Sequence, residues 1–329
     1  MPVQRIKFYQ TGSFAVGNRL LDPEQRSVQA DTHRTNSLNS GHRACQGCGE
    51  ALGARYVLDA VMRATGNQMV AVNSTGCLEV FSTPFPESSW QIPWLHSLFG
   101  NAPAVATGVA AALKAKGRTD VRVVGQGGDG GTVDIGLACL SGMFERNDDV
   151  LFICYDNGGY MNTGVQRSGA TPHGATTTTT PAGNSFSQGK SLPAIAMAHR
   201  IPYVATATVA DLRDLEYKAK RAMEFHGARY LHVLVPCPLG WRTGSGETIR
   251  TARLATETGV FPVFEAIDGE VTDVTKIRRL LPVTDYLRPQ GRFAHLFGDS
   301  PREDVVNKIQ AEADRNIRIF GLTEPDEVS

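Results

Sequence analysis

The chain has 329 residues, enough for one large core or for a core with extensions. Its 33 basic and 33 acidic residues cancel, so nothing in the charge argues for nucleic acid or an anionic membrane surface as the partner. No apolar run approaches the roughly 20 residues of a membrane span, and the opening Met-Pro-Val-Gln-Arg-Ile-Lys-Phe lacks the continuous apolar stretch of a secretory signal, so a cytoplasmic protein without a membrane span is the expectation.

In chain order, residues 1–40 are polar with little periodicity and read as an N-terminal extension that packs on partner chains or on the domain surface. Residues 50–65 place Leu52, Tyr56, Val57, Ala60 and Val61 at helical spacing. A short strand over 69–73 leads to Ser74-Thr75-Gly76-Cys77. The stretch 83–101, rich in Pro, Trp and Ser, predicts a long irregular loop of the kind that often carries function. An alanine-rich helix over 102–116 follows, in which Gly108 allows close packing. The apolar strand 121–124 precedes a helix over 134–147, with Leu137, Leu140, Met143 and Phe144 on one stripe. Residues 150–155 are continuously apolar, as in a central strand of a parallel sheet. Residues 167–190 hold five consecutive threonines and many glycines, and read as a loop over the ligand site or on a subunit face. Helices over 191–199 and 209–225 flank a strand at 203–206, and a strand at 230–235 ends the sheet. This alternation predicts one doubly wound, mostly parallel α/β domain over 41–245, followed by a more charged C-terminal packing segment, 246–329.

The most informative stretch is Gly128-Asp129-Gly130, then a helix, a buried strand, and Asp-Asn157-Gly-Gly159-Tyr-Met-Asn162. Asp129 would repel a diphosphate unless a cation lay between them. Asn157 comes twenty-eight residues later at the end of the next strand. Adjacent parallel strands bring both ends to the sheet edge where open α/β folds bind ligands. Asp129, the Asn157 side-chain oxygen and the Gly159 carbonyl form a hard-oxygen set suited to Mg²⁺. Gly125-Gln-Gly127-Gly-Asp-Gly130 also satisfies the dinucleotide fingerprint, but that loop offers bare backbone to the pyrophosphate, without an acid in its middle. A tight turn using glycines for geometry alone is the third reading.

Six cysteines divide in two groups. Cys139 falls within helical periodicity and Cys154 within a buried strand, so both read as small core residues. Cys45 and Cys48 form a CxxC pair among glycines, while Cys77 and Cys237 each follow a strand. Four thiolates suit either Zn²⁺ or a [4Fe–4S] cluster. Spacing alone leaves both open, along with a metal-free arrangement. A redox disulfide at the CxxC lacks the preceding strand of that fold.

Gly-Asp-Gly followed twenty-eight residues later by Asn resembles the thiamine diphosphate motif. The strings Gly128-Asp-Gly-Gly-Thr-Val-Asp-Ile-Gly and Tyr160-Met-Asn-Thr-Gly-Val-Gln-Arg-Ser-Gly-Ala-Thr-Pro-His-Gly resemble the β subunit of the 2-oxoacid:ferredoxin oxidoreductases, the pyruvate type above all. Tyr286-Leu-Arg-Pro-Gln-Gly-Arg-Phe-Ala-His-Leu is similar to the C-terminal segment of the same subunits.

The resemblance implies a thiamine diphosphate-binding fold with Mg²⁺ on Asp129, Asn157 and the Gly159 carbonyl, and with Thr75, Gly76, Gly128 and Gly130 around the cofactor. It implies that Asn162 faces the reacting end of the cofactor, and that 96–101 approaches the active site, with His96 either catalytic or a satisfied structural histidine. A [4Fe–4S] cluster on Cys45, Cys48, Cys77 and Cys237 would take electrons as a 2-oxoacid, pyruvate foremost, and coenzyme A become acyl-CoA and CO₂. The implied partners are an α subunit supplying the thiamine-activating Glu and the substrate contacts, γ and ferredoxin-like δ subunits or fusions, and ferredoxin or another electron acceptor; the isolated chain would then bind diphosphate poorly and catalyse nothing. Two alternatives accompany this reading: a thiamine-dependent decarboxylase or carboligase subunit with a structural four-cysteine zinc site, and a non-enzymatic dinucleotide-binding module.

Overall fold

Along residues 150–155 every side chain is apolar and fully buried, because successive residues of a strand point to opposite faces and both faces here are covered. Leu151, Ile153 and Tyr155 enter one hydrophobic core, whereas Val150, Phe152 and Cys154 enter the other. The same alternation recurs through the sheet and sets the layers of the molecule. The structure, a computed structural model, describes residues 5–7, 13–15, 36–83, 88–186 and 189–324.

Two units are present, 1–36 and 37–329. In the first, β1 (Arg5–Lys7) and β2 (Ser13–Ala15) pair antiparallel; the rest of the expected N-terminal extension, apart from 36–40, lies outside the described residues. The second unit runs α1 (Gly49–Ala64), β3 (Met69–Ser74), α2 (Cys77–Ser82), β4 (Trp94–Ser97), α3 (Ala102–Ala115), β5 (Arg122–Gly128), α4 (Leu137–Glu145), β6 (Val150–Asp156) and α5 (Leu192–Ala198). It continues with β7 (Tyr203–Thr208), α6 (Leu212–Arg221), β8 (Arg229–Leu234), α7 (Pro238–Trp241), α8 (Thr248–Glu257), β9 (Phe264–Ile267), β10 (Glu270–Val274), α9 (Val283–Leu287) and α10 (Glu303–Phe320).

The eight-stranded sheet has the order β10-β9-β7-β8-β6-β5-β3-β4, with every neighbour from β7 to β4 parallel. One face is covered by α1, α2 and α6, the other by α3, α4 and α5. The expected doubly wound, mostly parallel fold is therefore present. A third core gathers Trp241, Tyr286, Phe293 and the apolar faces of α8 and α10 beside the sheet.

Three expectations are corrected. The sheet does not end at β8: β9 and β10, from the C-terminal segment, add antiparallel to β7. Residues 83–101 are not wholly irregular, since β4 pairs in parallel with β3 at the sheet edge. An edge strand with one pairing partner carries little of the periodicity that marks a central one. Finally, β5 runs through Gly125-Gln-Gly-Gly128, which resembles a turn in sequence. Glycine is needed there for packing: a Cβ on Gly125 would lie 2.5 Å from the Phe152 ring. The segment after β5 opens with a π-helical turn, Gly130–Asp134, before α4 begins. Such turns often occur at functional sites.

Gly125→Ala should lower the unfolding free energy by about 1–3 kcal/mol through overpacking. Denaturant titration should show this, and Phe152→Leu in the same chain should recover part of the loss by clearing the contact.

Candidate active site

β3, β5, β6 and β8 are parallel neighbours in the sheet, so their C-terminal ends open onto one edge. Gly128 stands opposite Tyr155 in the β5–β6 register, which brings Asp129 beside the start of Asp156-Asn157. Between these ends lies a cavity of ≈ 80 Å³. Gly128, Asp129, Gly130, Asn157, Gly159 and Asn162 form one side of its lining, and Thr75, Gly76 and Cys77 contribute from the β3–α2 connection. Cβ atoms built on Gly76 or Gly128 would meet nothing closer than 3.9 Å, so both glycines leave the cavity open.

Asp129 is completely buried. Its Oδ2 accepts a hydrogen bond from the Ser168 hydroxyl, but its Oδ1 has no partner. Burial, and then the neighbouring Asp156, hold its carboxyl well above the usual range. Asn157 is 4% exposed; its Nδ2 donates to Glu50 Oε2 at 3.1 Å, and its Oδ1 also has no partner. Its backbone carbonyl accepts from Trp241 Nε1 at 2.6 Å. The Gly159 carbonyl accepts from Met161 N at 3.0 Å and retains its second lone pair. Two buried acceptors without donors, beside a backbone carbonyl, are the donor chemistry that a hard divalent cation completes.

Asn162 is exposed at the mouth of the cavity. His96, on β4, does not line the cavity; its Nε2 lies 2.8 Å from Thr75 Oγ1, and its ring stacks on Trp94 with centroids 6.0 Å apart.

The four non-core cysteines converge on the neighbouring part of this edge. Cys48 is the N-cap of α1 and its sulfur accepts from Ala51 N at 3.4 Å. Cys237 caps α7 in the same way, accepting from Gly240 N at 3.4 Å. Cys77 opens α2. The loop of Cys45 and Cys48 presses on the strand end that carries Cys237: Gly49 N donates to Pro236 O at 3.2 Å, and a Cβ on Gly49 would come within 2.6 Å of that oxygen. The charges of Cys48, Cys77 and Cys237 act on one another, and Cys45 acts on Cys77 and Cys237. Burial pushes the Cys48 thiol up to about 12 and raises Cys77 and Cys237. Among the described residues, no three His, Cys, Asp or Glu side chains stand ready as a set for a single metal ion. Cys154 is buried within β6 and Cys139 partly exposed on α4.

Several site residues escaped sequence reasoning. Glu50 lines the cavity and is pushed up to about 7 by burial; in sequence it is only an acidic residue in a helix's first turn. Ser168 reaches Asp129 across 39 residues. Thr132 Oγ1 ties back to the Gly128 carbonyl at 2.7 Å, and the Tyr160 hydroxyl to Asp134 Oδ2 at 3.1 Å. In the loop that holds Asn162, the β-branched Val165 has φ 63°, a conformation that costs energy and is held by its surroundings.

Comparison with known proteins gives a consistent picture. The family model described as Thiamine pyrophosphate enzyme, C-terminal TPP binding domain, matches residues 74–233. Pyruvate synthase subunit PorB of Methanosarcina barkeri is 51% identical over 290 residues, covering 87% of this chain and 97% of that protein. Ketoisovalerate oxidoreductase subunit VorB of Pyrococcus abyssi is 43% identical over 277 residues, 81% of this chain and 86% of that one. Among solved structures, 2-oxoglutarate:ferredoxin oxidoreductase from Magnetococcus marinus, with 2-oxoglutarate, coenzyme A and succinyl-CoA bound, aligns with TM-score 0.54 and 26% identity. That alignment covers 66% of this chain and 79% of that one.

Because the folded-state value of Asp129 is raised above 3.8, its contribution favours the metal-free fold at low pH and is lost as pH rises through the folded-state value. Asp129→Asn should therefore stabilise the metal-free chain at pH 8 by about 1–3 kcal/mol, with little effect near pH 4. Denaturation in chelator at both pH values checks the size and the sign.

Proposed function

The chain belongs to the β-subunit family of the 2-oxoacid:ferredoxin oxidoreductases, and on that premise we propose that its strand-edge cavity holds the diphosphate of thiamine diphosphate through Mg²⁺. The observation that carries this is the pair of buried, unpartnered oxygens, Asp129 Oδ1 and Asn157 Oδ1, at the ends of adjacent strands. Together with the Gly159 carbonyl they supply three of the oxygens such an ion takes, leaving positions for phosphate and water. Gly76 and Gly128 let the diphosphate approach the backbone, Gly130 lines the same cavity with its bare Cα against the Tyr160 ring, and Thr75 and Asn162 contribute from the two sides of the mouth. When bound, thiamine diphosphate supplies the electron sink for decarboxylating a 2-oxoacid. The residues of this chain anchor and orient it. Pyruvate is the proposed substrate, with branched-chain 2-oxoacids as the second class, following the names of the two relatives, and coenzyme A is the proposed acyl acceptor.

Cys45, Cys48, Cys77 and Cys237 are the proposed ligands of a [4Fe–4S] cluster that receives the electrons. Four thiols brought to one edge are the donor set such a cluster takes, and two of them, Cys48 and Cys237, accept backbone N–H bonds. Cys77 also lines the diphosphate cavity, so the two centres adjoin. His96 is a proposed support for Thr75 and a candidate for substrate contact.

Half of the active site is proposed to lie on another chain. Of the cavity-lining carboxylates, Glu50 is committed to Asn157, and Asp129 to the metal. The carboxylate that activates thiamine is then assigned to an α subunit, as are the substrate contacts. Leu98, Ile135 and Leu239, between 57% and 73% exposed, flank the cavity residues in sequence or in space and suit a partner's apolar surface. γ and ferredoxin-like δ subunits, with ferredoxin, are the proposed onward electron carriers. No helix among the described residues is long and apolar enough to cross a membrane; a cytoplasmic location is proposed.

Two measurements test this reading. Purified anaerobically, the chain should show a broad visible absorption that bleaches with dithionite and disappears in Cys77→Ser; a colourless, zinc-containing protein overturns the cluster assignment. In the assembled enzyme, Asp129→Ala should weaken Mg²⁺-dependent binding of thiamine diphosphate by roughly 100-fold or more, since even outer-shell partners are worth 10–100-fold. Turnover of a 2-oxoacid by the isolated chain would refute the division of the site between subunits.

A further inference from the structure

A side-chain amide has an oxygen end and an NH₂ end of nearly the same shape, and a hard cation accepts only the oxygen. The end that Asn157 turns to the cavity is therefore set by what holds the other. Its Nδ2 donates to Glu50 Oε2 at 3.1 Å, which leaves Oδ1 free of protein partners. The Glu50 oxygen that faces Asn157 accepts from its NH₂ end, and an oxygen without a proton cannot bond the amide oxygen in its place.

Glu50 is itself immobilised. It is 3% exposed and stands two residues after Cys48 at the start of α1, and the nearby Leu78 backbone N–H counters part of the rise that burial imposes on it. The carboxylate thus ties the start of α1 to the end of β6, segments 107 residues apart in sequence.

We propose that Glu50 is a positioning residue for the metal: it fixes the orientation of the Asn157 amide so that Oδ1 faces the cation. This rests on the assignment of Asp129, Asn157 and Gly159 as the Mg²⁺ site. Glu50 acts through Asn157 and needs no contact with substrate. The glutamine introduced by Glu50→Gln can present a donor where the carboxylate presented an acceptor, so Asn157 is no longer compelled to point its oxygen outward. An aspartate at position 157 needs no such guidance, because both of its ends are oxygens.

The experiment uses the assembled multi-subunit enzyme, stripped of divalent cations by chelation and titrated with Mg²⁺, and in parallel with Mn²⁺ followed by electron paramagnetic resonance, at fixed thiamine diphosphate. Glu50→Gln should weaken the affinity for either ion by roughly 10–100-fold, the range for residues that orient metal ligands, with iron content and unfolding midpoint close to the parent's. The double variant Glu50→Gln/Asn157→Asp should regain most of the lost affinity, a rescue that a purely structural role for Glu50 would not produce. Unchanged ion affinity in Glu50→Gln, or a double variant no better than the single, overturns the proposal. So does failure of both to assemble while Asn157→Asp alone assembles, which would make Glu50 structural. If Asp129→Ala also leaves the ion affinity unchanged, the Mg²⁺ assignment itself fails, and the role of Glu50 falls with it. Loss in Asp129→Ala without loss in Glu50→Gln removes only the role of Glu50.

Discussion

Asp129 and Asn157 are each buried with one oxygen left unpartnered, and the strand edge is organised around that deficit. An unmet buried acceptor costs about 1–3 kcal/mol, and more when it belongs to a carboxylate. The surrounding structure maintains the arrangement despite the cost. β5 and β6 lie parallel in the middle of the sheet, so their ends cannot separate without breaking ladder hydrogen bonds on both sides. Ser168 and Trp241 then fix the other oxygen of Asp129 and the Asn157 backbone. A cation that supplies the missing partner turns a local instability into a binding site, which is how polar strain at functional positions is commonly used.

The same edge carries the thiols, and the two sites share supporting elements. Cys48 caps the helix that contains Glu50, and Cys77, which opens α2, lines the same cavity as Glu50. Gly49 permits the CxxC loop to lie against Pro236, next to Cys237. A change at either site is thus passed on through short, buried segments rather than through flexible loops.

The apolar side chains near the mouth have a different logic. Leu98 and Leu239 expose most of their surface in an otherwise charge-balanced chain. Singly such residues need no explanation. Here they adjoin residues of the cavity edge, and they accord with membership in a family whose relatives are named as subunits.

Much of this was legible in the amino-acid sequence. Continuous burial of 150–155, helical stripes on either side, and Asp129 and Asn157 at strand ends follow from local pattern, because strand alternation and helical periodicity are set within a few residues. Cys154 could be placed in the core on the same grounds, whereas Cys139, expected there too, is only partly buried on α4. Local pattern did not reveal β4, an edge strand in a proline-rich stretch, or β9 and β10, whose sheet pairing depends on β7 some sixty residues earlier. Nor did it reveal Glu50 or Ser168, whose meaning lies in single hydrogen bonds across 107 and 39 residues. The sequence alone determined which chemistry the strand ends could carry, since residue type and spacing dictate donor sets. Only the tertiary structure decided which oxygens remain unpartnered, because that depends on every other polar group the fold brings within hydrogen-bond reach.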